Sequence, residues 1–171
     1  AAVVLPGGFS YQDRIRAGVV AAKDRVMDAV FDAASRGVPV LGICNGAQIL
    51  VESGTVPGFQ AGAIDLALAP NRMPDRSGYY CAWVRVKKGP ARCIFTEFLR
   101  DAPEDGGTLP IPLAHAEGRF VTSSKEVARR LESAEGIALL YARADGGAAE
   151  SFPDNPNGSL FAIAGVTNPA G

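Results

Sequence analysis

Apolar and polar positions along the first third of the chain predict a strand, a helix, a second strand and a second helix, in that order. The apolar residues 3–5 predict a short strand. Apolar residues recur at spacings of three and four from 17 to 36, which predicts a helix. The β-branched run 38–43 predicts a strand buried on both faces, and 45–53 predicts a second helix. This order predicts an α/β fold, with a mostly parallel sheet flanked by helices.

The remaining two thirds of the chain are less regular but predict further strands and one more helix. Strand-like segments are 80–87, 109–114, 119–122 and 137–141. A capping-box pattern at 123–126 predicts a helix that runs to about residue 134. Polar or glycine-rich loops are predicted at 71–78, 101–108, 145–147 and 154–159. Because no repeat or linker interrupts the pattern, residues 1–171 are expected to form one domain.

Composition and charge narrow the class of protein. The 171 residues carry 17 Lys and Arg against 18 Asp and Glu, a net charge of −1, which argues against nucleic acid or an anionic membrane surface as partner. No apolar run reaches the ~20 residues of a membrane helix, and no secretory signal is visible. The three cysteines lack zinc-site spacing, so we expect no metal and a reducing, cytoplasmic setting.

Both ends of the sequence favour an incomplete domain. Residues 1–5 are already strand-like, without an initiating Met, and the chain closes on the turn-forming residues 168–171. We therefore expect truncation at both ends; a true C-terminus that frays at the turn is the alternative.

The clearest chemical motif surrounds Cys44. Residues 42–46 read Gly-Ile-Cys-Asn-Gly, the cysteine form of a G-x-S-x-G nucleophile elbow. Such an elbow projects the thiol from a sharp strand-to-helix turn and places it at a helix N-terminus, which favours the thiolate. The backbone N–H of Asn45 would then point toward an oxyanion. A buried structural cysteine at a strand end is the alternative; Cys81 and Cys93 are expected to be inert.

The Pro-Gly-Gly run at 6–8 is a second candidate element of the site. Consecutive glycines let a backbone approach a ligand closely, so Gly7 is a candidate substrate contact. A loop at the carboxyl end of a parallel strand can also supply the second oxyanion donor, from the N–H of Gly8. An ordinary βα turn is the alternative for this run.

Read together, residues 6–8 and the run 42–48, Gly-Ile-Cys-Asn-Gly-Ala-Gln, resemble the class I (triad) glutamine amidotransferases, which have a flavodoxin-like fold. Within that class, four segments resemble the glutaminases of phosphoribosylformylglycinamidine synthase; these are 3–13 with 16–18, 41–50, 111–120 and 155–159. Two departures are Gln12 and Ala116, where that family usually has glycine.

The resemblance implies an enzyme that hydrolyses glutamine to glutamate and ammonia for purine biosynthesis. It implies that Gln48, one helical turn after Cys44, helps to bind glutamine; a helix-surface role is the alternative. It also implies a partner, the ATP-dependent synthase subunit or domain that makes formylglycinamidine ribonucleotide. ATP and Mg²⁺ would belong to that partner, and this chain would hold no cofactor.

His115, the only histidine, is the ambiguous residue of the predicted site. Residues two apart on a strand face the same side, so Glu117 could orient a His115 imidazole that serves Cys44 as general base. The resemblance instead implies a His-Pro-Glu motif beyond Gly171 as the source of the triad base. His115 would then be a hydrogen-bonded structural residue, or would lie at the ammonia exit or the partner contact.

Three other functions remain open from the sequence. The chain could be an amidotransferase domain of another pathway, a thiol hydrolase such as a thioesterase, or a non-catalytic interaction subunit. Ammonia release from glutamine, compared with thiol release from short thioesters, separates these possibilities.

Overall fold

The computed structural model describes residues 1–101, 107–133 and 135–171. The strands are β1 (Val3–Leu5), β2 (Val40–Gly42), β3 (Ala67–Pro70), β4 (Tyr80–Lys88), β5 (Thr108–His115), β6 (Glu117–Val121), β7 (Ile137–Ala142) and β8 (Ile163–Val166). The helices are α1 (Val26–Ser35), α2 (Asn45–Glu52) and α3 (Lys125–Glu132). Short 3₁₀ turns occupy Ser10–Asp13, Ala21–Lys23, Glu97–Asp101 and Leu160–Ala162. Most of the loop predicted at 101–108 lies outside the described residues.

The first two strands form the parallel pair that the sequence predicts. Leu5 is in register with Gly42, and the N–H of Ile43 donates to the Leu5 carbonyl at 3.0 Å. Helices α1 and α2 pack on this pair through a small apolar cluster that contains Met27, Val30 and Leu50. As a result, the carboxyl ends of β1 and β2, with the loops that follow them, lie side by side.

Strand directions elsewhere are a correction to the prediction of a mostly parallel sheet. The α/β class is confirmed, but β3 pairs antiparallel with β6, and a four-stranded sheet of order β5-β4-β7-β8 has antiparallel neighbours throughout. The connection from β4 to β5 gives one physical reason: no α-helix of the described chain lies between them, so β5 returns beside β4 without the crossover that parallel pairing requires. The short strand β3 was not predicted.

The helix predicted over 17–36 is interrupted in the structure. A 3₁₀ turn at Ala21–Lys23 is followed by Asp24 in an extended conformation, with ψ 144°, and α1 begins only at Val26. The Asp24 carboxylate accepts a hydrogen bond from the N–H of Val26 at 3.0 Å and another from the Tyr11 hydroxyl. A local hydrogen bond of this kind, from an aspartate side chain to the N–H two residues on, competes with the continuous helix that the apolar spacing predicts.

The third helix is capped one residue later than the capping-box pattern suggested. Ser124 is the N-cap, and its hydroxyl accepts the N–H of Val127 at 3.2 Å. The buried face of α3 packs with α2, β3, β6, β7 and β8 in the largest apolar cluster, which includes Leu68, Phe120 and Leu131. Within the described ranges, no helix has the length and apolarity needed to cross a membrane.

Candidate active site

Cys44 is the N-cap residue of α2 and is exposed to solvent. Its backbone has φ 53° and ψ −112°, a left-handed conformation that non-glycine residues rarely adopt. Its carbonyl accepts the N–H of Ala47 at 3.0 Å and that of Gln48 at 3.1 Å, which starts the helix directly at the turn. Only Ile43 separates the end of β2 from the strained Cys44, and α2 starts at the next residue, which is the geometry of a nucleophile elbow.

The glycines on either side of the elbow are required by close backbone contacts. A Cβ atom on Gly42 would lie 2.6 Å from the Gly46 carbonyl oxygen. A Cβ on Gly46 would collide with the backbone of Leu5 in the neighbouring strand, 2.6 Å from its carbonyl carbon. The G-x-C-x-G spacing therefore allows the helix to start against β1 and holds Cys44 in its strained conformation.

The loop at residues 6–8 lies beside the elbow. The N–H of Gly46 donates to the Pro6 carbonyl at 3.1 Å, and a Cβ on Gly7 would lie 3.3 Å from Cβ of Cys44 and 3.9 Å from its Sγ. Gly8 has φ 155° and open space where a side chain would project. These contacts place Gly7 next to the thiol, and Gly8 follows it in the same loop. Their roles, and that of the Asn45 N–H as oxyanion donor, stay predictions.

The side chain of Asn45 is buried and ties the elbow to the turn at Ser10–Asp13. Its Oδ1 accepts the N–H of Ser10 at 3.2 Å, and its Nδ2 donates to Asp13 at 3.4 Å and to Gln48 Oε1 at 2.9 Å. Burial raises the pKa of the Asp13 carboxyl. The Asn45 side chain thus fixes the elbow to this turn, a role that the elbow motif alone did not predict.

Gln48 is also buried, and both ends of its amide are hydrogen-bonded. Oε1 accepts from Asn45, and Nε2 donates to the backbone carbonyl of Glu117 at 2.7 Å. The residue joins the elbow helix to the start of β6. Its contact with glutamine stays a prediction. To bind glutamine, Gln48 would exchange one of these two hydrogen bonds or use the second hydrogen of its Nε2.

His115 and Glu117 lie on different strands, and among the described residues no hydrogen bond joins their side chains. Their roles as base and orienter stay predictions. The chain turns at Ala116, so that His115 ends β5 and Glu117 begins β6 in a different sheet. The Glu117 carboxylate accepts the N–H of Ala17 at 3.3 Å, whereas the buried Nδ1 of His115 has no hydrogen-bond partner among the residues that the structure describes. In the described chain, no hydrogen bond joins His115 to the Cys44 sulfur.

The imidazole of His115 lies over Gly118, where it fills the space that a side chain at 118 would need. Burial away from water lowers the pKa of His115, which favours the neutral ring. The backbone carbonyl of His115 accepts from Asn71 Nδ2 at 2.7 Å. We call residues 115–118 the His115 corner.

Three buried polar side chains that sequence reasoning did not assign hold the His115 corner. Asn71 Oδ1 accepts the N–H of Gly118 at 3.1 Å, and Asn157 Nδ2 donates to the Gly118 carbonyl at 2.9 Å. Ser159 Oγ donates to the Gly118 carbonyl at 3.4 Å and accepts the N–H of Phe120 at 3.1 Å. The signal in the sequence was the polar run 155–159, which was recognised only as a loop and as part of the resemblance.

No group of three or more His, Cys, Asp or Glu side chains within the described ranges is arranged to hold a metal ion.

Comparison with known proteins assigns this arrangement to a class. Residues 1–171 match the family described as the CobB/CobQ-like glutamine amidotransferase domain, and the chain belongs to that family. Among curated relatives, the phosphoribosylformylglycinamidine synthase subunit PurQ of Methanothrix thermoacetophila is 47% identical over 175 residues, covering 98% of this chain and 64% of the relative. The PurQ subunit of Pyrococcus furiosus is 40% identical over 169 residues, covering 99% of this chain and 65% of the relative.

A solved structure gives the same result for the fold. The structure of PurLQS from Thermotoga maritima superimposes with a TM-score of 0.70 at 32% sequence identity, covering 99% of this chain and 64% of the matched chain. The chain thus spans just under two thirds of the length of these relatives.

Proposed function

We propose that this chain is part of a glutaminase that hydrolyses the side-chain amide of glutamine and delivers ammonia to a synthase of purine biosynthesis. The observation that carries the proposal is the exposed Cys44 in a strained elbow at the start of α2, in contact with the loop that carries Gly7 and Gly8. We assign residues 1–171 to one glutamine amidotransferase domain.

The proposed reaction begins with attack of the Cys44 thiolate on the amide carbon of glutamine. The N–H groups of Gly8 and Asn45 stabilise the tetrahedral oxyanion, an effect of about 2.7–4 kcal/mol per donor. Ammonia leaves after protonation by the imidazolium of the His-Pro-Glu motif that the resemblance implies, and water then hydrolyses the γ-glutamyl thioester to glutamate. Gly7 packs against the thiol from one side, and Gln48 positions the helix or contacts the substrate.

We keep His115 out of the proton transfer. A general base must come within about 2.6–3.2 Å of the proton that it moves, directly or through one water. His115 instead packs on Gly118, and its buried Nδ1 has no hydrogen-bond partner within the described ranges. We assign it to the positioning of the His115 corner, where Glu117 contacts the elbow helix through Gln48.

The synthase partner completes the proposal. The names of the relatives, subunits of phosphoribosylformylglycinamidine synthase, support a synthase partner. The resemblance implies that this partner uses ATP and Mg²⁺ to convert formylglycinamide ribonucleotide to the amidine. No nucleotide would bind to this chain itself. The three free thiols fit a reducing, cytoplasmic location.

The test is covalent labelling with a glutamine-analogue diazo-ketone, followed by peptide mapping. Cys44 should carry the label, and a Cys44→Ala variant should carry none. The exposed Cys81 is a control within the same molecule, because it has solvent access but no elbow or helix N-terminus. A label found mainly on Cys81 or Cys93, or one that excess glutamine does not suppress, contradicts the proposal.

A further inference from the structure

Three arginines lie around the loop 71–78 and the start of β6; we call Arg72, Arg76 and Arg119 the arginine cluster. A Cβ atom on Gly158 would lie 3.5 Å from Cδ of Arg119 and 3.8 Å from Cβ of Arg72, so these two side chains flank Gly158. The Arg76 guanidinium lies 5.7 Å from the centre of the Tyr80 ring. Among the described residues, none of the three arginines forms an ion pair.

The backbone under the arginine cluster is fixed by hydrogen bonds. The N–H of Arg72 donates to the Asn157 carbonyl at 3.0 Å, and the N–H of Met73 donates to the Arg76 carbonyl at 2.9 Å. Nε of Arg119 donates to the Pro70 carbonyl at 2.9 Å, which leaves its terminal nitrogens for an outside acceptor. A binding surface held in this way loses little conformational entropy when a partner docks.

Charge defines the kind of partner that this surface fits. Asp75 is the only acid in 71–78, so the cluster is a local excess of positive charge on a chain whose net charge is −1. Guanidinium groups pair with carboxylates through two parallel hydrogen bonds, and arginine is enriched where protein partners bind.

The position of the cluster relates it to the elbow. Arg119 follows Gly118 on β6, and Asn157 donates to the Gly118 carbonyl. The preceding residue, Glu117, accepts from Gln48 on the elbow helix. A partner docked on the cluster would therefore contact the same corner that touches the helix carrying Cys44.

We propose that the arginine cluster docks an acidic segment of the synthase protein that receives the ammonia. This rests on the proposed function, because it takes the ammonia acceptor as the partner. The attraction steers the two proteins together, so it acts mainly on the association rate and weakens with salt.

The experiment measures association of the chain with the ATP-dependent synthase subunit from the same organism, by stopped-flow or surface-based kinetics at low and high salt. Arg72→Glu and Arg119→Glu should each slow association at low salt about fivefold or more and flatten its salt dependence. Arg72→Lys, which keeps the charge, should recover most of the rate. The control is Arg25→Glu, an exposed arginine at the start of α1 that makes no ion pair among the described residues.

Unchanged association of Arg72→Glu and Arg119→Glu overturns the proposal, as does an equal loss in Arg25→Glu. If the chain binds a single-stranded RNA and does not bind the synthase, the cluster is a nucleic-acid site. That result also overturns the proposal. Diazo-ketone labelling of the same samples separates the two proposals. If Cys44 is labelled but docking does not depend on the arginines, only the docking surface is rejected. If Cys44 is not labelled but docking depends on the arginines, only the glutaminase function is rejected.

Discussion

At the scale of single residues, the site depends on a backbone conformation that costs energy. A non-glycine residue in a left-handed region of this kind costs about 1–3 kcal/mol, and Cys44 adopts one at φ 53°. The contacts around Gly42 and Gly46 hold the turn in place despite that cost. Strain retained at an exposed thiol is typical of a position kept for chemistry rather than for stability.

Gly8→Val tests the oxyanion loop. The side chain would enter open space, so any effect arises from the φ of 155°, which valine resists, and from displacement of the Gly8 N–H. We expect acylation of Cys44 by an activated γ-glutamyl ester to slow about 100-fold, with a much smaller change in thermal stability. Gly62→Val is the control, because Gly62 has φ 76° and equally open space. Unchanged acylation with reduced stability would make Gly8 only a turn residue.

His115 predicts a dependence of stability on pH. Burial lowers its pKa from the ordinary 6.5, so the unfolded chain binds the proton more readily than the folded chain. The free energy of unfolding should therefore fall as the pH drops below about 6.5 toward the lowered folded-state pKa. Denaturant unfolding at about pH 7.5 and about pH 5.5 measures the difference. His115→Phe, which keeps a ring over Gly118, should reduce that difference; an equal difference in both proteins would assign it to other groups.

At the scale of elements, the His115 corner is held by polar side chains from distant parts of the sequence. Asn157 is fully buried and bonds to the Gly118 carbonyl and to the N–H of Ser159. Asn157→Ala removes these partners and leaves buried polar groups unpaired, so we expect a loss of about 2–4 kcal/mol in stability. Asn168→Ala is the control, since the Asn168 side chain makes no hydrogen bond among the described residues. Equal losses of stability in the two variants, measured by thermal unfolding, would contradict the role of Asn157 in holding the His115 corner.

Sequence patterns predicted the strands and helices that depend on residues close together in the chain. The strand before Cys44, its glycines and the helix after it are consecutive in sequence, and the strands at 80–87 and 137–141 alternate or run apolar as strands do. Pairing directions were not predictable, because they depend on which distant strands meet. The break in the predicted helix depends on the hydrogen bond from the Val26 N–H to the Asp24 side chain. The role of Asn157 depends on its bond to Gly118, 39 residues away along the chain.

At the scale of the whole molecule, attack by Cys44 can be measured separately from protonation of the leaving group. An activated γ-glutamyl ester has a leaving group that needs no proton, whereas glutamine must lose ammonia. Because His115 is not hydrogen-bonded to Cys44 in the described chain, the 171-residue chain should be acylated by the ester yet hydrolyse glutamine very slowly. His115→Ala should leave the acylation rate within about twofold. Rapid glutamine hydrolysis that His115→Ala abolishes would make His115 the base and Glu117 its candidate partner.

The buried amides also bear on how this protein ages. Asn45 and Asn157 both precede glycine, the pairing in which asparagine most readily cyclises and deamidates in a flexible chain. Both side chains are buried and hydrogen-bonded, and the N–H of Gly46, whose nitrogen would attack the Asn45 amide, is bound to two carbonyls. Folding thus protects both sites against the same chemical damage. Isoaspartate at residues 45 and 157 would record the time that a molecule has spent unfolded.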